Sequence, residues 1–334
     1  MHHFDPSKEI QNYLVFGEYG GVNPSIEDSS TYTFLSPEKM KELFDHEIEG
    51  CFLYSRHWNP TNKCLADALA KLEDSEAAIV TSSGMAAISS AILQICQCGD
   101  EIISGRTVYG GTYALLKNFL PRIGIKVKFV NIHNLKAVEE SITDKTKIIY
   151  CESVSNPLLE IADLPNLGKI AKKHNLKLMV DNTFSPISLT PIQLGADIVV
   201  HSLTKFINGT SDCVAGCICS SREFVNQLSD INSGASMLLG PVLDSYRAAS
   251  ILKNLHSLHI RIEKHSANAQ YISENLEKLG CKVFYPGLSS HPDHDLMTEL
   301  MNEGFGYGGM LAIDAGDEKT ASNLMAAMQR EKIG

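Results

Sequence analysis

The residues that invite a chemical reading lie between Lys177 and Ser221, in KLMVDNTFSPISLTPIQLGADIVVHSLTKFINGTSDCVAGCICSS. Two short apolar runs, 178–180 and 198–200, have the length of buried strands and are bounded by turn-prone residues. The first ends in Asp181; the second leads into His201, Ser202, Thr204 and Lys205. Ligands of open α/β sheets bind beyond the carboxyl ends of strands, so a carboxylate, two hydroxyls and an amine converge at one edge. That set suits an aldehyde cofactor with a phosphate tail and a ring nitrogen. The amine makes a Schiff base, the hydroxyls take the phosphate, and the carboxylate keeps the ring nitrogen protonated. Taken singly, a lysine after a strand is a solvated loop residue and an aspartate there is a turn former. Their convergence is what points to a cofactor.

Other stretches supply further walls. SSGMAAISSAIL (82–93) is a strand end, a Ser-Gly turn and a helix of small residues. A helix N-terminus offers free N–H groups and a positive dipole end to an anion. Gly84 lets the backbone approach a phosphate, and Ser83 either caps the helix or binds the anion. TVYGGTYALL (107–116) sets Tyr109 ahead of two glycines, where its ring can stack on a planar group while its hydroxyl moves protons. CESVSNP (151–157) contributes Glu152 and Asn156 as a polar pair near the same edge, and YSRHWNPTN (54–62) contributes Tyr54 and Arg56, a possible phosphate fork. HPDHD (291–295) reads as a loop rather than a metal site. The nine cysteines include no Cys-x-x-Cys pair, and Cys217 and Cys219 share one strand face with no partner histidine, so no zinc site is expected. Nothing matches a dinucleotide fingerprint, a P-loop or a nucleophile elbow.

To position these groups the chain needs a sheet, and it carries the pattern of one. From residue 65 onward, helical segments alternate with apolar runs at 77–82, 101–105, 127–132 and 147–152. The helices between them are expected at 85–96, near 113–120, near 135–141 and at 164–174. Such alternation implies an α/β fold with a mainly parallel sheet and helices on both faces. Residues 1–60 form an arm that is mostly irregular, with one helix at 37–47 on whose face Met40, Leu43 and Phe44 lie; an arm without its own core must rest on the main domain or on a neighbouring subunit. Residues 61–250 make the large domain. Residues 251–334 make a smaller α/β domain that looks truncated: a strongly helical segment over 241–280 precedes strands at 281–286 and 309–316 and a helix at 319–331. With 334 residues, 44% hydrophobic and 20% charged, the chain is an ordinary globular protein of two domains. A net charge of −10 excludes a nucleic-acid backbone and an anionic membrane surface as partners. No signal peptide or membrane span is visible, and scattered cysteines fit a reducing cytoplasm.

Taken in order, YSRHWNPT, SSGMAA, YGGTYALL, CESVSNP, VDNTF and SLTKFINGTSD resemble the Cys/Met-metabolism (transsulfuration) family of pyridoxal-phosphate enzymes. That family includes cystathionine γ-synthases and γ-lyases, methionine γ-lyases and O-acetylhomoserine sulfhydrylases. The resemblance implies the aspartate-aminotransferase-like fold type I and pyridoxal 5'-phosphate as cofactor. It makes Lys205 the Schiff-base lysine and Asp181 the partner of the ring nitrogen. Tyr109 would stack on the ring and protonate the leaving group, and Asn156 would contact the ring hydroxyl side. Gly84, Met85, Ser202 and Thr204 would hold the phosphate. Tyr54 and Arg56 would reach the phosphate of a neighbouring subunit, which implies a dimer of active sites within a homotetramer.

The implied reaction is γ-elimination or γ-replacement on a sulfur amino acid or an O-activated homoserine. Lys205 removes the α-proton and shuttles a β-proton. Cystathionine β-lyase chemistry is the alternative, and a truncated inactive homologue is a third reading. Methionine γ-lyases carry a cysteine two residues after the tyrosine; Gly111 stands there, as in the synthases and sulfhydrylases. Thr210 stands where the family usually has histidine. The family's sequences also run well past residue 334, with a serine near the lysine and the arginine that forks the substrate carboxylate. A gene product ending at Gly334 is therefore expected to bind cofactor without efficient turnover.

Overall fold

The computed structural model describes residues 4–34, 36–45 and 50–330. Six of the apolar runs, with a seventh strand through Cys217 and Cys219, line up as one sheet: β1 (Ala77–Thr81), β2 (Glu101–Gly105), β3 (Lys126–Val130), β4 (Thr146–Glu152), β5 (Lys177–Asp181), β6 (Ile198–Ser202) and β7 (Gly216–Ser220). Their order is β1-β7-β6-β5-β4-β2-β3. The pairings from β3 through β2, β4 and β5 to β6 are all parallel. Helices lie on both faces, as the alternation of elements requires. Ile102, Ile103, Ile148, Ile149, Leu178, Val180, Val199 and Cys219 are all fully buried, so the central strands are apolar on both sides. Burial of each such aliphatic side chain stabilises the fold by about 1.5–3 kcal/mol.

One strand runs against the rest. β7 is antiparallel to both β6 and β1. Parallel neighbours need a crossover, usually a helix, and the loop 203–215 between β6 and β7 contains none, so the chain turns straight back. That reversal places Lys205 on an exposed loop at the end of β6, beside the start of β7.

Several boundaries differ from the sequence reading. The arm holds a helix, Pro6–Asn12, that the reading missed; Asp5 caps it by accepting from the Ser7 N–H, Pro6 occupies its first turn, and Ile10 is buried in the main core. The next helix runs Pro37–Asp45 with Met40 exposed; its expected continuation to Glu47 lies outside the described residues, as do the side chains of Leu43 and Phe44. Tyr109 is followed by helix at once, over Gly110–Ala114, and that helix passes into a π-helical turn, Leu115–Phe119.

The segment expected to be helical over 241–280 is two helices, Ser245–Leu255 and Leu258–Lys278. Between them Ser257 Oγ donates to the Asn254 carbonyl at 2.9 Å, the kind of local side-chain bond that competes with helix continuation. Beyond them β8 (Lys282–Phe284) and β9 (Ala312–Asp314) form a small antiparallel sheet. Tyr285, fully buried, donates its hydroxyl to the Gly308 carbonyl at 3.0 Å. The helix Glu318–Arg330 contains no buried residue; Glu331, the expected end of that helix, lies outside the described residues.

The stretch expected to be a loop at 291–295 is only half one. The helix His294–Leu300 begins inside it, and its Met297 and Leu300 pack with Val154, Leu159 and Ile161. Asp293, just ahead of that helix, accepts from the Ile161 N–H at 3.0 Å and lies 3.8 Å from His133. It links the small sheet's region to the loop that follows β4.

Candidate active site

The anion end of the site is assembled from β1 and β6. Ser83 caps the helix Gly84–Ile95, its Oγ accepting from the Ala86 N–H at 3.0 Å. Of its two expected roles it takes the capping one. The first N–H groups of a helix have no intrahelical acceptor, and here these belong to Gly84 and Met85. Gly84 touches the end of β6: a Cβ at residue 84 would lie 2.8 Å from Ser202 Cβ, so only glycine fits. Ser202 is itself held by its N–H, which donates to Thr183 Oγ1 at 2.8 Å. Thr204 is engaged within its own loop. Its hydroxyl accepts from the Ala215 N–H at 3.0 Å and donates to the Ala215 carbonyl at 3.3 Å.

At the other end two carboxylates stand side by side. Glu152 closes β4, Asp181 closes β5, and the two are register partners. Asp181 Oδ1 accepts from the Thr183 N–H at 2.9 Å. Glu152 accepts with both oxygens, from the Tyr109 N–H at 2.6 Å and from the Asn156 N–H at 3.0 Å. Burial, followed by the neighbouring Asp181, pushes the Glu152 carboxyl up to about 8, against the pull of those two N–H groups. Burial also raises Asp181 above the ordinary aspartate range, while Thr183 works to lower it. Neither carboxylate has an ion-pair partner within 4.0 Å among the described residues; His201, paired with Glu73, acts on Asp181 only from farther off. A protonated ring nitrogen is the charge such a pair lacks.

Lys205 follows Ser202 in the loop beyond β6. Its N–H donates to the Ser202 carbonyl at 3.2 Å, and its carbonyl accepts from the Gly209 N–H at 2.8 Å. Arg261, on the long helix Leu258–Lys278, donates to the carbonyls of Phe206 and Ile207, the latter at 2.9 Å. The loop carrying the amine is thus fixed from behind by a guanidinium. Tyr109 is 52% exposed. A Cβ on Gly111 would lie 2.6 Å from the Tyr109 ring, so the ring rests directly on that glycine. One turn on, Thr112 Oγ1 points at Met85 Sδ, 4.0 Å away, and so joins the tyrosine helix to the anion end.

Lys205, Asp181, Ser202, Gly84, Met85, Tyr109 and Asn156 are therefore linked through a short chain of contacts. Tyr54 and Arg56 are not part of it. Arg56 Nη1 donates to the Met237 carbonyl at 2.6 Å, and its guanidinium lies over the Tyr54 ring at 5.4 Å. Thr183 and Arg261 are supporting residues that the sequence reading missed. Thr183, two residues after the carboxylate in VDNTF, carried a visible signal; Arg261, on a helix far along the chain, carried none.

The cysteine reading needs one correction. Cys217 does have a histidine neighbour, since His201 is its register partner on β6. That imidazole is already committed: buried, it meets Glu73 Oε1 at 2.7 Å. Burial would lower its pKa, but the Glu73 carboxylate outweighs that and holds it up at about 9. No group of metal-binding side chains occurs among the described residues, nor any helix long and apolar enough to cross a membrane.

The donor set fits pyridoxal phosphate: a helix N-terminus and Ser202 for the phosphate, two carboxylates without ion pairs for a cationic ring, and an accessible amine. The comparisons agree. A family model described as "Cys/Met metabolism PLP-dependent enzyme" matches residues 11–333. The chain is 44% identical over 331 residues to a methionine gamma-lyase of Arabidopsis thaliana, covering 97% of this chain and 75% of that protein. It is 38% identical over 310 residues to a cystathionine beta-lyase of Lactococcus lactis, covering 92% of this chain and 77% of the relative. Among solved structures, metB of Corynebacterium glutamicum superposes with a TM-score of 0.86 at 32% identity, over 96% of this chain and 82% of that one. A putative O-acetylhomoserine (thiol)-lyase of Campylobacter jejuni, solved with a pyridoxyl-lysine monophosphate, gives a TM-score of 0.88 at 29% identity, over 96% and 87% of the two chains.

Proposed function

We propose, from the premise that the chain belongs to the Cys/Met-metabolism family of pyridoxal-phosphate-dependent enzymes, that its reaction is γ-elimination from a methionine-like substrate. It is a carbon–sulfur lyase or transferase acting on a small sulfur amino acid, with pyridoxal phosphate as its cofactor. The observation that carries the finer reading is the long match to methionine γ-lyases, from the plant protein above to one of Fusobacterium nucleatum at 39% identity over 300 residues. Methionine and water would give 2-oxobutanoate, methanethiol and ammonia.

When bound, pyridoxal phosphate supplies an electron sink for the charge left on the substrate carbons. In this reading Lys205 holds the cofactor, then takes the α-proton and carries a proton at the β-carbon. Asp181 holds a proton on the ring nitrogen. Tyr109 would cover the ring and protonate the departing sulfur, and Asn156 would lie toward the ring hydroxyl. Gly84, Met85, Ser202 and Thr204 bind the phosphate, which requires the Thr204 hydroxyl to leave Ala215. Tyr54 and Arg56, which make no contact with the other site residues, serve the neighbouring subunit. The working unit is then at least a dimer, within a homotetramer. The arm 1–60, a cofactor domain 61–250 and a small domain 251–334 complete the reading. Nine free cysteines support a cytoplasmic setting.

The test is product analysis with pyridoxal-phosphate-loaded protein given methionine, cystathionine or O-acetylhomoserine, with and without sulfide. Methanethiol and 2-oxobutanoate from methionine are expected. Pyruvate from cystathionine would instead favour cleavage at Cβ, the reading supported by the match to the Lactococcus β-lyase. Homocysteine formed only with O-acetylhomoserine and sulfide would favour replacement over elimination.

A further inference from the structure

Tyr109 and Asn156 approach the ring site from different strand ends, and one side chain holds both backbones. Glu152 sits behind them, 8% exposed. One oxygen takes the N–H of Tyr109, the residue at which the helix Gly110–Ala114 begins. The other takes the N–H of Asn156. Tyr109 itself provides no side-chain cap to its helix. Its ring is half exposed and lies against Gly111, so the backbone bond to Glu152 helps to fix where that ring stands.

We infer that Glu152 is a positioning residue, a two-oxygen bracket that sets the spacing between the tyrosine wall and the asparagine wall of the cofactor site. The inference rests on the reading that Tyr109 and Asn156 flank the cofactor ring. The chemistry of the bracket restricts which residue can serve. Two N–H donors need two acceptor oxygens on one rigid group. Glutamine offers one oxygen and turns an NH2 toward the second donor. Aspartate keeps both oxygens but is one methylene shorter, so it cannot span the same pair of donors from the same strand position. A buried carboxylate beside Asp181 is costly, and that cost is a reason not to expect one unless its geometry is used. The bracket touches no reacting atom. It acts by holding two groups that do, which is the kind of support on which a preorganised site depends.

The experiment compares wild type, Glu152→Gln and Glu152→Asp as full-length chains, first stripped of cofactor and then titrated with pyridoxal phosphate. Amide hydrogen exchange on the stripped wild type should show Tyr109 and Asn156 protected relative to Gly110 and Gly111; exchange at the unprotected rate would overturn the inference without any variant. In Glu152→Gln one of the two amides should lose that protection. Above about pH 9, where Glu152 is ionised, the Kd for pyridoxal phosphate should rise about tenfold, the scale expected for one lost charge-assisted hydrogen bond. The visible circular dichroism of the bound cofactor, which reports ring orientation, should weaken. Glu152→Asp should fall between the two. A folded variant with wild-type Kd and dichroism overturns the bracket. Lys205→Ala separates this from failure of the site reading: if it keeps the visible cofactor band, the site assignment itself is wrong, whereas loss of the band alongside a wild-type-like Glu152→Gln sinks only the bracket.

Discussion

The seven-stranded sheet and the two-stranded sheet treat apolar side chains in opposite ways. In the first, whole strands such as β1 and β7 are buried from end to end, and the chemistry-bearing residues emerge at the carboxyl edge of β4, β5 and β6. In the second, β8 and β9 have no fully buried position, and the helix beside them keeps Leu324 and Met325 exposed at 38% and 57%. The difference separates what each region asks of its residues. In the large sheet, its edge strand β3 apart, most strand side chains pack. Around the small one, packing within this chain decides much less.

The sharpest break between the regions should come from Lys205→Ala, which is expected to abolish the visible cofactor band and lower turnover by about a thousandfold or more. Met325→Ala should leave both unchanged, as read by absorbance and product assays. Stability gives the next contrast. Ile149→Ala, in the centre of β4, should cost about 2–5 kcal/mol in urea unfolding, since the site is fully buried and cannot collapse. Leu324→Ala should stay within about 0.5 kcal/mol. If the two proved equal, the small region would be packed against something that this chain does not supply.

A pH series tests the sheet's back face. His201 has a folded pKa of about 9, above its unfolded value, so its contribution is fully present below about 6.5. It is lost as pH rises through 9. Wild type should therefore lose on the order of 3 kcal/mol between those limits from this group, and His201→Gln should be less stable throughout but flatter across that window. The smallest expected effect is Gly84→Ala. The added methyl meets Ser202 Cβ and Cα, so overpacking should cost about 1–3 kcal/mol in unfolding and cofactor affinity should fall about tenfold. Lost stability with an unchanged Kd would place Gly84 in the packing of the fold and not at the phosphate.

Much of the large sheet was legible because its strands are continuous apolar runs ending in turn formers. Asp181 and Lys205 were legible for the same reason, each following such a run. What the pattern could not carry was direction. β7 is buried like β1 and β6 beside it, and its antiparallel course follows from the missing crossover helix. Helices opened by Asp-Pro or preceded by His-Pro-Asp were misread because those residues suit turns and caps alike, as Pro6–Asn12 and His294–Leu300 illustrate. Glu152 was noticed as polar beside Asn156, but its other backbone partner, Tyr109, lies on a segment that only the fold brings near it. Arg261 was invisible for the stronger reason that its acceptors, the carbonyls of Phe206 and Ile207, are present in any sequence.

The Glu73–His201 contact has a consequence for how the chain finds its alignment during folding. Glu73 also takes the Asn182 amide at 3.0 Å, so one carboxylate from the helix Pro60–Glu73 grips residues just beyond β5 and within β6. Sliding β6 by a single position would turn His201 to the opposite face and leave a charged carboxylate stranded in the interior. Apolar strands rich in valine and isoleucine tolerate such slippage on packing grounds alone. The buried pair makes the misaligned sheet expensive, and so acts as a proofreader for the one strand whose offset decides whether Ser202 and Lys205 arrive where Gly84 is waiting.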